Sequence, residues 1–273
     1  MAKKANGNDK HSATEALSLT EALSLVERYP ILRASPQAVA ESLKGIGPVD
    51  EFSFDRIKVP TGGGTTWRVP TLEGERNLKE LAGVVLYIKP NRGLWKIPYD
   101  QSGGGNPPDC SSDDLIEGVG DPGGRCGVAG KPGCCPYNEW GSMKLVNQAR
   151  VDSNGKACRE TRLLFTFLAE QARPVILIVP PSSLSNKYDF TVSKYFMAQA
   201  WNGRSPFMVE TDFALHAERV GNFPTAIIQA RMLRVLNDQD IARFRALLDM
   251  LRPLMEQVTV SQEDVDSVEP LPF

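Results

Sequence analysis

Residues 81–90 read LAGVVLYIKP, a run rich in β-branched and aliphatic side chains that carries one charge, Lys89, before its closing proline. Its composition predicts a strongly apolar strand. Working outward, NRG at 91–93 followed by LWKIPY predicts a return strand beside it. TRLLFTFLA (161–169) and PVILIVPP (174–181) predict a second strand pair. In 182–203, Tyr188, Val192, Tyr195, Phe196 and Gln199 fall at helical spacing with Gly203 as terminator. FMVETDFALHAERV (207–220) alternates like a strand, Gly221 and Asn222 make a turn, and FPTAIIQARMLRVL (223–236) gives the next strand. Asn237 and Asp238 open a last helix with Ile241, Phe244, Leu248 and Leu251 on one face.

Upstream, residues 1–11 are polar and expected to be disordered, while Ser12 and Glu15 form a capping box for a helix to about Tyr29. Pro36–Lys44 predicts a second helix capped by Ser35 and stopped by Gly45. FSFDRIKVP (52–60), TGGGT (61–65) and TWRVP (66–70) predict a hairpin turned by glycines. From residue 81 the order is strand, strand, strand region, helix, strand, strand, helix. That order is similar to an OB-fold, a five-stranded, partly open barrel. The predicted class is α+β, mostly β: helices within 1–50, an OB-fold-like domain over 51–257 with an insertion at 98–159, and a disordered acidic tail over 258–273.

The apolar share and 23 glycines among 273 residues are ordinary for a globular chain. No stretch reaches the roughly 18–20 apolar residues that cross a bilayer, and MAKKANGNDKHS has no apolar segment behind it. The expectation is a cytoplasmic protein without a cleaved signal and without a membrane partner. The net charge of −2 conceals an asymmetry at Arg252. Residues 1–252 hold all 31 Lys and Arg against 28 of the 33 acids, a net +3; residues 253–273 hold five acids and no base, a net −5. Such a division points to a body that binds polyanions and an acidic arm that binds something else.

Between Pro98 and Arg159 the chain is crowded with Gly and Pro and lacks apolar periodicity, so something must tie it down. Cys110, Cys126, Cys135 and Cys158 lie there, with Cys134 adjacent. Four thiolates are the complement of a closed structural zinc site, which can order a loop that has no core of its own. Cys135 is preferred to Cys134 because Pro136 follows it, and the Cys-Pro-x-x-x-Trp run resembles metal knuckles. An iron–sulfur cluster, or no metal at all, remains open; disulfides do not suit a reducing compartment. Histidines play no part: His11 lies in the polar start and His216 in a strand.

A protein that holds single strands without reading sequence needs cations for phosphates and flat rings for bases. Arg56, Lys58, Trp67 and Arg68 flank the TGGGT turn; Tyr87, Lys89, Arg92, Trp95 and Lys96 follow on the next strands; Arg159, Arg162 and Phe165 lead out of the cysteine segment. Alternation puts Arg56 with Lys58, and Tyr87 with Lys89, on shared faces. The competing reading is that the cations solvate a sheet and the tryptophans are core. No phosphate loop, nucleophile elbow, zinc-protease helix or paired-carboxylate nuclease pattern is present.

The last residues read SQEDVDSVEPLPF, with Glu263, Asp264, Asp266, Glu269, Pro270, Leu271, Pro272 and Phe273. This resembles the acidic C-terminal tip of bacterial single-stranded DNA-binding proteins, whose final Phe enters an apolar pocket on partner proteins. The acidic run is diluted here by Val265, Ser267 and Val268. The combination RIKVPTGGGTTWRVP, CSSDD, CCPYNEWGS, GKAC and IVPPSSL is similar to single-stranded DNA-binding proteins of bacteriophages and mobile elements. That resemblance implies a non-enzymatic protein of replication or recombination in a bacterial host. It would coat single-stranded DNA, recruit replication and recombination proteins through the tip, and form oligomers if its subunits join. The alternatives are a DNA-processing enzyme or annealing factor carrying a copy of the tip, and a phage structural protein.

Overall fold

The computed structural model of the chain describes residues 25–46, 54–103, 106–146, 154–171, 173–185, 187–188, 190–220 and 223–265. The strands are β1 (Asp55–Ile57), β2 (Trp67–Thr71), β3 (Gly74–Leu78), β4 (Glu80–Leu94), β5 (Cys110–Ser112), β6 (Glu117–Gly120), β7 (Gly124–Arg125), β8 (Arg159–Leu168), β9 (Val175–Val179), β10 (Val209–Val220) and β11 (Phe223–Val235). The helices are α1 (Leu25–Arg28), α2 (Pro36–Ile46), α3 (Tyr99–Ser102), α4 (Val192–Trp201), α5 (Asp238–Gln257) and α6 (Gln262–Val265). None is long and apolar enough to cross a membrane.

The protein is a mixed α+β structure built on one large sheet. The run 81–90 lies inside β4, which organises everything else. One edge of β4 carries β8 antiparallel from Gly83 to Gly93. Its other edge takes β10 at the start, over Glu80–Gly83, and β5 at the end, over Arg92–Leu94. Between those two partners that edge is unpaired among the described residues, which is where Pro90, lacking an N–H, is tolerated. β8 continues into β9 as an antiparallel pair, as the sequence predicts, and β10 and β11 pair likewise.

The apolar runs are nearly continuous because the sheet is covered on both faces. Leu163, Phe165 and Phe167 of β8, with Ile176 and Ile178 of β9, pack against α1 and α5 through Leu25, Tyr29, Phe244, Leu248 and Met255. The intervening Leu164, Leu168, Val175, Leu177 and Val179 face the opposite way, onto Trp67, Val69, Phe213, Ile228 and Val192. Each such side chain contributes roughly 1.5–3 kcal/mol on full burial. Val84 and Leu86 serve the first core and Val85 the second by plain alternation; the register shift between Val85 and Tyr87 then puts Tyr87 on the first core beside Leu86, and Ile88 on the second.

Four expectations are corrected. NRG does not turn the chain, because β8 runs alongside as far as the Gly93–Arg159 pairing and keeps β4 extended. β1 and β2 do not form a hairpin: β1 joins β9 in parallel, and β2 pairs with β3 in a separate ribbon. The glycine turn between them packs instead on β11, where a Cβ on Gly63 would stand 3.1 Å from Pro224 Cβ. The helix predicted over 188–199 also shifts, with α4 starting at Val192 rather than near Tyr188.

The fourth correction concerns 258–265, predicted to be disordered. Val258, Val260, Gln262 and Asp264 are buried, and Gln262 accepts from Ser102 Oγ while its amide donates to the Ile97 carbonyl. The amino-terminal helices gain a role as well. Glu210, buried on β10, accepts from Tyr29 Oη and pairs with Arg28 and Arg234, each at 2.7 Å, which ties α1 to the β10–β11 hairpin.

Candidate nucleic-acid interface and cysteine centre

The rings chosen from sequence are mostly core. Trp67 is wholly buried and donates its indole N–H to the Phe213 carbonyl at 2.9 Å; Trp95 donates to the Asn106 carbonyl; Phe165 is fully buried between Phe54 and Tyr87. None of the three can stack on a base. Trp67 shares its strand face with buried Val69, and that apolar alternation is the signal that core, not ligand, was meant. Tyr87 is half-buried beneath the Arg252 guanidinium.

Several cations are structural too. Lys89 is buried, and its ammonium donates to the carbonyls of Glu256 and Val258 at 2.7 and 2.8 Å and pairs with Asp113 at 2.9 Å, closing the C-terminus of α5. Arg92 is buried against Glu160 and the Leu115 carbonyl, and Arg162 pairs with the other oxygen of Glu160. Burial alone would raise the Glu160 carboxyl; the hydrogen bonds from Arg92 and Arg162 outweigh it and hold it below the usual carboxylate value. Lys96 pairs with Asp121, and Arg68 stands exposed on β2.

Arg56, Lys58 and Arg159 do converge, and what they hold is the start of the acidic segment. Arg56 pairs with Asp264 and donates to the Thr259 carbonyl at 3.0 Å. Lys58 donates to the Glu263 carbonyl at 2.9 Å and lies 3.8 Å from the Asp264 carboxylate. Arg159 donates to the Val265 carbonyl at 3.0 Å. Asp264 also accepts from the Ser261 N–H, and its side chain is only 1% exposed. A carboxylate expected on a mobile arm is therefore seated on two cations expected to meet phosphate, and a third, Arg159, holds the next carbonyl. Asp266, Glu269, Pro270, Leu271, Pro272 and Phe273 lie outside the described residues.

The cysteine segment is anchored on the end of β4 through β5, β6 and β7. All five cysteines are free thiols. Cys126 and Cys135 are joined by a backbone bond, Cys135 N to Cys126 O at 3.1 Å, and Cys158 N donates to the Tyr137 carbonyl at 2.8 Å. Gly118 must lack a side chain: a Cβ there would lie 2.9 Å from Cys110 Sγ and 3.8 Å from Cys126 Sγ. Burial, together with the neighbouring Cys126, Cys110 and Cys135, pushes the Cys158 thiol up to about 12 against the pull of Arg92. Cys134 turns the other way, toward the Cys126 and Cys135 carbonyls and Glu139. Among the described residues, no group of three or more His, Cys, Asp or Glu side chains stands at metal-holding geometry.

A further aromatic cluster, with Tyr188 and Phe190 half-buried and His216 exposed, lies before α4 and on β10. Tyr188 and Phe190 stack with centroids 5.4 Å apart, and His216 meets Phe190 edge-on at 5.2 Å. Lys187 lies 4.9 Å over Tyr188, while Glu218 accepts from Tyr188 Oη and pairs with His216. The exposed tryptophans are Trp140 and Trp201, at 70% and 85%, in place of the predicted Trp67 and Trp95. The chain matches no protein-family model, no curated protein and no solved structure.

Proposed function

We propose that this is a non-enzymatic protein that binds single-stranded DNA during replication or recombination, in the cytoplasm of a bacterial cell. The observation that carries the reading is the seat formed by Arg56, Lys58 and Arg159. These side chains come from distant parts of the chain and together hold the acidic segment 259–265, which ends in α6, by one carboxylate and three carbonyl oxygens. A row of cations that grips an anionic strand through its oxygens offers what a phosphodiester strand requires. The strand order β9-β8-β4-β10-β11, with α4 between β9 and β10, supports an OB-type body. Among the described residues β11 does not close onto β9, whose outer edge is taken by β1.

On this reading residues 259–265 occupy the seat when DNA is absent, and DNA displaces them. The remaining acidic residues then become available to replication and recombination proteins. Asp264→Asn removes the carboxylate while keeping the shape. The variant is expected to bind a short oligo-dT about threefold to tenfold more tightly, with a salt dependence steeper by about 0.7 for each cation released. A purely architectural strap predicts loss of stability with no gain in affinity. A folded wild-type protein that ignores oligo-dT at low ionic strength ends the proposal. Labelled single-stranded DNA that survives incubation with Mg²⁺ supports coating over a DNA-processing enzyme.

We also propose a structural zinc ion on Cys110, Cys126, Cys135 and Cys158. The side-chain-free cradle at Gly118 and the mutual influence of these four thiols fit a sulfur-only donor set, and Arg92 beside Cys158 would offset its negative charge. The ion would staple a segment whose own apolar cluster is small.

A further inference from the structure

We propose that Trp140 is a base-stacking site, with Lys156 bracing the ring from the face away from the base and Lys144 as its phosphate-facing cation; this rests on the single-stranded DNA reading above. Trp140 is 70% exposed, whereas Trp67 and Trp95, which serve the core, are buried. A tryptophan left that open on a folded surface forfeits the burial that normally justifies its size, so it marks a contact surface. The Lys156 ammonium lies 4.6 Å from the centroid of the ring and donates to Asn138 Oδ1 at 3.2 Å, which fixes it over one face. With that face covered and the side chain still largely open, the other face is presented to solvent.

The surroundings are rigid enough for a preformed platform. Asn138 donates to the carbonyls of Cys126 and Gly127; Ser142 Oγ donates to the Tyr137 carbonyl and accepts from Ala157 N–H; Gly141 N–H donates to the Asn154 carbonyl. Beside the ring is a shallow hollow of about 240 Å³ lined by Pro136, Glu139, Lys144 and Leu145. Glu139, the one carboxylate among the described lining residues, accepts from Gly130 N–H at 2.8 Å. A ring with one open face, an apolar hollow and an exposed lysine suit an unpaired nucleobase and its phosphate better than a neutral peptide, which would leave the cation unmatched. Trp201 is more exposed, but among the described residues no cation lies over it.

The experiment compares the affinity of wild type, Trp140→Ala and Trp140→Phe for oligo-dT and for an abasic oligonucleotide of equal length. Thermal unfolding verifies that each variant is folded. Wild type is expected to prefer oligo-dT. Trp140→Ala is expected to lose about fivefold to a hundredfold in oligo-dT affinity while its abasic affinity and salt dependence stay unchanged; Trp140→Phe keeps most of the preference. Quenching of tryptophan fluorescence by oligo-dT should shrink in Trp140→Ala. A folded Trp140→Ala with wild-type oligo-dT affinity and quenching overturns the stacking site and leaves the single-stranded DNA reading standing. A wild type blind to both oligonucleotides overturns both.

Discussion

Lys89 separates the two readings of this surface most sharply. It sits on β4 in a cluster of basic and aromatic residues that looks like a phosphate site in sequence, yet its side chain is only 4% exposed. Lys89→Met keeps the stem and removes the ammonium. The carbonyls of Glu256 and Val258 then lose their donor at the end of α5, at about 1–3 kcal/mol each. Asp113 is 56% exposed and returns to water, so the broken ion pair adds little. The loss is on the order of 3 kcal/mol, which for a chain of this size lowers the melting temperature by about 6–12 °C. Thermal unfolding followed by circular dichroism at neutral pH reads that shift. Oligo-dT binding across a salt series, on the same samples at a temperature where both proteins are folded, should give an unchanged slope. A phosphate contact would instead lower the slope by about 0.7 and leave the melting temperature near wild type. That second pattern refutes the assignment of Lys89 to the helix end.

Trp67→Ala should cost about 3–5 kcal/mol in denaturant unfolding, because it opens a cavity and strands the Phe213 carbonyl, whereas Trp201→Ala should stay within about 0.5 kcal/mol of wild type. Equal effects would contradict the burial of one and the exposure of the other. Metal analysis of protein purified without added zinc should give a stoichiometry near one, retained in Cys134→Ser and lost in Cys158→Ser; a wild-type value near zero ends the zinc proposal. Tyr29 supplies a pH test. Burial, then the Glu210 carboxylate, push its phenol well above its ordinary value of 10.0. The folded protein thus keeps a proton that the unfolded chain releases above about pH 10. Stability from this group is complete below that pH and is lost as pH rises through it toward the folded value. Tyr29→Phe should flatten the decline between pH 9 and 11 in urea midpoints, and a slope identical to wild type would show that Tyr29 does not titrate in this way.

How much of this was legible in the sequence depends on range. β8, β9, β10, β11 and α5 could be read because each is specified locally. Consecutive apolar residues mark strands buried on both faces, and Asn237 accepts from Asp240 N–H as a helix cap should. Pairing partners could not be read. Arg56 and Lys58 both reach the acidic segment, but the strand that carries Arg56 and leads into Lys58 joins β9 more than a hundred residues away. The choice of tryptophans failed for a related reason. Proximity to Arg and Lys says nothing about burial, whereas the Trp67–Val69 alternation does, as does the absence of any apolar period around Trp140.

The body-and-tail division read from charge is altered at its boundary, because residues 258–265 pack on the body. A free acidic arm would act through long-range attraction that salt screens within about 8–10 Å. Residues 258–265 instead place one carboxylate, almost wholly buried, against Arg56 and Lys58, and add three carbonyl oxygens and the packing of Val258 and Val260. Displacing such a segment requires a ligand that supplies several anionic oxygens along an extended line at once. A polynucleotide strand does so, while a free phosphate meets one or two of the cations and leaves the rest of the strap in place. On the single-stranded DNA reading proposed above, the seat would discriminate polyanion from monoanion by the number of contacts that must be exchanged together, without a base-specific hydrogen bond.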